Sequence, residues 1–141
     1  MYVVVEKEGA QKIIRCLLSY VEKFDQNLYK KNSSERHVND FLRCIEMELT
    51  RLISLLLAET GHWYPDSLFE ALEIVAKEGA ISKKNRETVL EIPKSLLRIS
   101  EDLNSQGNFK ELDQSGSYFV FMIRLLCEDI KVYLNNAEIP T

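Results

Sequence analysis

Between Val38 and Leu57 the apolar residues return at alternating steps of three and four. They are Val38, Phe41 with Leu42, Ile45, Leu49, Leu52 with Ile53, and Leu56. Wound into a helix, they fall on one side as a continuous seam, while Asp40, Arg43, Glu46 and Thr50 point elsewhere. No Gly or Pro interrupts the run. A helix of about 25 residues extends roughly 37 Å at 1.5 Å per residue. Most of the stability of such a helix comes from packing its apolar face against other elements. The rest of the chain must therefore supply helices that cover the seam.

It contains them. A first helix is expected from about Ala10 to Lys30, with Ala10, Ile14, Leu17, Val21, Phe24 and Leu28 alternating by four and three. The short β-branched segment Met1 to Val5 before it reads equally as a lead, a strand or the start of that helix. Residues 1–9 and 136–141 are taken as tails of a single domain. Asn32 and Glu35 make a capping box for the second helix, Glu35 to Glu59, unless the stretch around them is a mobile loop; Gly61 stops that helix. Ser67 and Glu70 form another box for a short third helix running from Leu68 to Glu78, with Phe69, Leu72, Val75 and Ala76 facing in and Gly79 as its stop. A fourth helix opens at Ser82 as N-cap and carries Val89, Ile92, Leu96, Ile99 and Leu103 inward. Pro93 lies inside it, lacks a donor and clashes with the preceding turn, so a kink or break is expected there. The region 109–117 gives no decisive pattern. A last helix, 117 to 135, buries Phe119, Met122, Leu126, Ile130 and Tyr133. The fold class expected is all-α: an up-down bundle of about five helices, four long and one short.

The chain has 141 residues, 45% of them hydrophobic and 28% charged, which suits one domain with a full core. Its net charge of −4 argues against a protein that coats a nucleic-acid backbone, because no global positive field attracts phosphate. No run of about 18 apolar residues suggests a membrane span, and the first residues lack the build of a signal peptide. The expected compartment is the cytoplasm. Cys16, Cys44 and Cys127 are odd in number, unpaired by motif and placed in expected helices, where part-buried apolar filling is the ordinary role. Neither they nor the two histidines sit at metal-ligand spacing, so no metal or other cofactor is expected.

Residues with chemical potential are few. His62, next to Trp63, is of the residue type that serves as acid or base in enzymes, although a loop histidine packed beside the Trp63 ring is the more ordinary reading. His37 reads as a solvated helix terminus. Glu91, Glu101 and Asp102 could group as carboxylates or simply form a solvated face. Lys83, Lys84 and Arg86 place cations in the first turn of the fourth helix, an unfavourable position that an anion would relieve. Phosphate loops, dinucleotide fingerprints and Glu-x-x-His diiron pairs are absent from the sequence.

Three stretches together carry a resemblance: the seam helix from Phe41 to Gly61, the segment from Pro65-Asp66-Ser67 through a short helix to Gly79-Ala80-Ile81-Ser82, and the amphipathic helix from Tyr118 to Leu134. Read over about Ala10 to Leu134, the chain resembles the HEPN superfamily, in particular its HepT-like branch. That resemblance implies a five-helix bundle, a homodimer with the fourth-helix region at the shared cleft, and, in active members, metal-independent cleavage of RNA. The chemistry there uses an Arg that holds phosphate and, after four to six intervening residues, a His as acid or base. HepT-like proteins are typically toxins paired with a small nucleotidyltransferase antitoxin that modifies a Tyr two residues past the His.

This sequence departs from the pattern where the motif should fall. Arg98 is the candidate Arg, but Leu103 occupies the His position and Ser105 the Tyr position. Leu cannot transfer a proton, and Glu101 with Asp102 puts negative charge where phosphate should bind. The resemblance therefore implies a catalytically degenerate member: a dimeric binding or interaction module with a nucleotidyltransferase-like protein or a nucleotide-bearing partner. Lys94, Arg98 and Asp102 are its candidate binding residues. An enzyme reading survives only if Glu101 or His62 reaches a cleft beside Arg98, and a plain structural bundle unrelated to that family is the third alternative.

Overall fold

A computed structural model describes residues 2–28, 35–104 and 109–136, with side chains over 7–28, 38–103 and 115–136. Over these residues the chain is all helix and turn. Five helices, α1 (Tyr2–Leu28), α2 (Glu35–Glu59), α3 (Leu68–Lys77), α5 (Ile92–Asn104) and α6 (Phe109–Asn136), are joined by the four-residue turn α4 (Arg86–Val89). Met1 and residues 137–141 lie outside the described residues, as do the side chains of Tyr2 to Glu6 and of Asn32, Glu35 and His37.

The seams do what their periodicity requires. Ala10, Ile14, Leu17, Val21 and Phe24 on α1 are fully buried, and so are Val38, Ile45, Leu49, Leu52 and Ile53 on α2. Gly9 lies beside Leu55, so the start of α1 meets the end of α2 and the two form an antiparallel hairpin. Against it lies α6, antiparallel to α1. Phe24 and Phe119 meet edge to face with centroids 6.0 Å apart, and Gly116 sits so close to Leu28 that an added Cβ would come within 2.5 Å of its Cδ1. Val89, Ile92, Leu96, Ile99 and Leu103 close the core from the α4–α5 side.

The loop chemistry follows the sequence in most places. Gly61 and Gly79 adopt φ of 76° and 94°, the left-handed conformation that ends α2 and α3. The Ser67 hydroxyl accepts the Glu70 amide at 3.1 Å and starts α3. The chain breaks before Pro93, which sits in the first turn of α5, where a missing amide hydrogen costs nothing.

Four expectations are corrected, and the open region 109–116 is assigned. Residues 2–9, expected as a tail, form the first turns of α1. Phe69 is 44% exposed, since α3 buries Ala71, Leu72, Val75 and Ala76 instead. Ser82 is not a helix N-cap: α4 begins at Arg86, after a turn over residues 82–85. Residues 109–116 continue α6. Cys16 is exposed because it lies roughly opposite the α1 seam, whereas Cys44 is half-buried and Cys127 buried.

Candidate functional site

Two amphipathic helices, α5 and α6, lie side by side with their buried faces on the same core. Glu91, just before α5, and Lys94, Ser95, Arg98 and Asp102 on it recur at the three-and-four spacing that puts them on one strip. The strip faces Ser115 and Tyr118 of α6, and together these seven residues line a groove of about 630 Å³. That is the size range of small-molecule sites, about 300–1,000 Å³.

Three of the residues expected to bind, Lys94, Arg98 and Asp102, are thus brought together. Glu101 lies three positions past Arg98, about 60° further round the helix, and is exposed outside the groove. His62 is elsewhere: its Nε2 lies 3.0 Å from a Glu78 carboxylate oxygen, so it tethers the loop after α2 to the end of α3. Trp63 beside it does not cover it, being 93% exposed.

Hydrogen bonding divides the groove. The Tyr118 hydroxyl donates to Glu91 at 3.1 Å. Desolvation first, then that bond and the charge of Glu91, raises the Tyr118 hydroxyl above its ordinary value of 10.0. Asp102 and Ser115 are also engaged. Among the described residues, neither Lys94 nor Arg98 has a hydrogen-bond or ion-pair partner, and both are exposed. The groove therefore presents two open cations and the Ser95 hydroxyl, beside two carboxylates, Glu91 and Asp102, that are already engaged. This set can hold an anion of phosphate type by charge-assisted hydrogen bonds. It contains no histidine.

The sequence marks Glu91 as a possible carboxylate partner of Glu101 and Asp102, but gives no separate sign of Ser95 and Tyr118 as site residues. Ser95 shares the Lys94–Arg98–Asp102 strip, a periodicity that would find it. Tyr118 lies 27 residues from Glu91 and has no local signal.

The other polar clusters are structural. One Asp129 carboxylate on α6 accepts the Ser82 amide at 3.1 Å and the Ser82 hydroxyl at 3.2 Å, and takes the Asn85 side-chain amide at 3.0 and 3.1 Å. Arg86 turns inward and donates to the Ala76 carbonyl at 3.0 Å, covering the C-terminal end of α3. Of the expected basic turn, only Lys83 and Lys84 stay exposed. The described residues contain no group of His, Cys, Asp and Glu able to hold a metal, and no helix long and apolar enough to cross a membrane.

Comparison with family models, with curated proteins and with solved structures finds no match for this chain.

Proposed function

We propose that this chain is a non-catalytic binding module of HEPN type whose α5–α6 groove takes a phosphate-bearing ligand, RNA or a nucleotide. The observation that carries the reading is the pair Lys94 and Arg98, unpartnered in a groove that also holds serine and tyrosine hydroxyls. Arg98 is also the residue that matches the phosphate-holding Arg of the family motif. The absence of catalysis rests on Leu103, which stands where the family's proton-transferring His would be and is buried in the core. The same reading makes the chain a cytoplasmic homodimer with a nucleotidyltransferase-like partner.

Purified protein incubated with single-stranded RNA tests both halves. The expected result is retention of a 5′-phosphorylated oligonucleotide without cleavage, weakened by Arg98→Ala. Cleavage that disappears in Arg98→Ala would overturn the non-catalytic reading. Equal binding by the parent protein and the variant would remove the groove from it. Sedimentation of the free protein decides the dimer.

A further inference from the structure

The polar groove does not end at Glu91 and Lys94. Both residues also line a second recess of about 500 Å³, whose remaining walls are Phe69 of α3, Glu87 and Leu90 of the α4 turn, and Pro93. This neighbour has the opposite character. Phe69, Leu90 and Pro93 give it apolar walls, and the Glu87 and Glu91 carboxylates are acceptors in its lining. The exposure of Phe69 belongs to the same feature. Its helix buries a full apolar face without it, so the ring is left standing over the recess rather than in the core.

Lys94 sits between the two compartments because of its place on α5. Arg98 and Ser95 lie on the side of the helix towards α6, whereas Leu90 and Pro93 lie round towards α3, and Lys94 falls between these directions. An occupant that fills both recesses must join an anionic group to a flat apolar one. The flat part must also sit beside two carboxylates, so it is not anionic and carries N–H or O–H donors.

We infer that the joined grooves bind a nucleotide end-on, with its phosphate between Lys94 and Arg98 and its base against Phe69, Leu90 and Pro93. Glu87 and Glu91 then accept from the base or sugar. This rests on the phosphate reading of the polar groove and adds a base subsite that the polar groove does not contain. A free nucleoside monophosphate and the 5′-terminal nucleotide of an RNA strand present the same chemistry.

Calorimetric titration of the full chain separates the two levels. The probes are inorganic phosphate, ribose 5-phosphate, AMP and a 5′-phosphorylated RNA oligonucleotide. AMP is expected to bind about tenfold tighter than ribose 5-phosphate, the size of effect that one stacked base supplies. Phe69→Ala should bring AMP down to the ribose 5-phosphate level and leave ribose 5-phosphate itself unchanged. Phe69→Tyr should restore AMP, since a ring remains. The side chain is half-exposed, so these variants should fold, and circular dichroism checks that they do. AMP and the oligonucleotide, compared directly, show whether the free nucleotide or the strand end is preferred. AMP binding no tighter than ribose 5-phosphate, or AMP binding indifferent to Phe69→Ala, would overturn the base subsite while the phosphate reading stands. Failure of all four probes would overturn both.

Discussion

Two polar clusters flank α6, and they differ in one respect. At Asp129 the donors and acceptors are matched: one carboxylate serves the Ser82 amide and hydroxyl and the Asn85 side chain. At the α5–α6 groove Tyr118 and Glu91 are matched to each other and Asp102 and Ser115 are engaged, whereas Lys94 and Arg98 are left open. A matched cluster uses its hydrogen-bonding capacity to fix backbone, and has little left for a ligand. An open one adds little to folding, because its charges remain in water either way, and keeps its capacity for whatever arrives. The contrast predicts opposite phenotypes: substitution at the first should cost stability without touching binding, and at the second the reverse.

The largest effect is expected at the matched cluster. Asp129→Ala strands the Ser82 and Asn85 donors and releases the turn that leads into α4. Hydrogen bonds to a charged group are worth about 1.5–3 kcal/mol, and the partial exposure of these residues puts the total loss near the low end, about 2 kcal/mol. Urea unfolding measures it. Phosphate affinity of the folded variant should match the parent. If Asp129→Ala instead weakens binding with stability intact, the two clusters have been assigned the wrong way round.

Next is Arg98→Ala. The side chain is exposed and without a partner, so stability should stay within about 0.5 kcal/mol of the parent. Affinity for a 5′-phosphorylated oligonucleotide should drop about tenfold, equivalent to about 1.4 kcal/mol. The loss should shrink as salt is raised, because the contact is screened. A variant that unfolds readily would show that Arg98 supports the bundle, and the contrast would collapse.

Much of this architecture is legible in the sequence because helix packing is a local code. The alternation of three and four marks every seam, Gly61 and Gly79 mark two stops, and Pro93 marks a break. What escaped depends on contacts between distant segments. Ser82 reads as a cap from its neighbours alone, but Asp129, 47 residues away, claims its hydroxyl. Residues 109–117 give no decisive pattern, yet Gly116 lets α6 approach Leu28 closely, and tertiary packing overrides propensity. Phe69 reads as core by type and spacing, but α3 already buries four other residues. The candidate site was half legible for the same reason. Lys94, Arg98 and Asp102 share one helical face, whereas the Tyr118 side of the groove is decided by how α6 lies on α5.

The smallest effect probes a matched pair inside the open groove. Tyr118→Phe removes the bond to Glu91 but keeps the ring and its contact with Phe121. Because the hydroxyl is part-exposed, neutral-pH stability should change by less than about 0.5 kcal/mol. Binding should weaken about twofold, since the Glu91 carboxylate is no longer capped and repels phosphate more freely. Alkaline pH gives a second readout. Tyrosine ionises at 10.0 in its ordinary state and higher in this fold, so the Tyr118 contribution is complete below pH 10 and disappears as the pH climbs through the raised value. Cys127, buried on the core side of the same helix, behaves likewise over a wider window, with its thiol pushed from 9.0 to about 12 by desolvation. Both proteins should therefore lose stability above pH 9, at up to about 1.4 kcal/mol per pH unit from the thiol alone. The curve for Tyr118→Phe should run parallel to the parent until pH 10 and fall slightly less steeply beyond it. A neutral-pH loss as large as that of Asp129→Ala would mean that Tyr118 and Glu91 hold α5 to α6 as Asp129 holds the turn. The groove would then be a joint with two spare cations rather than a site built around them.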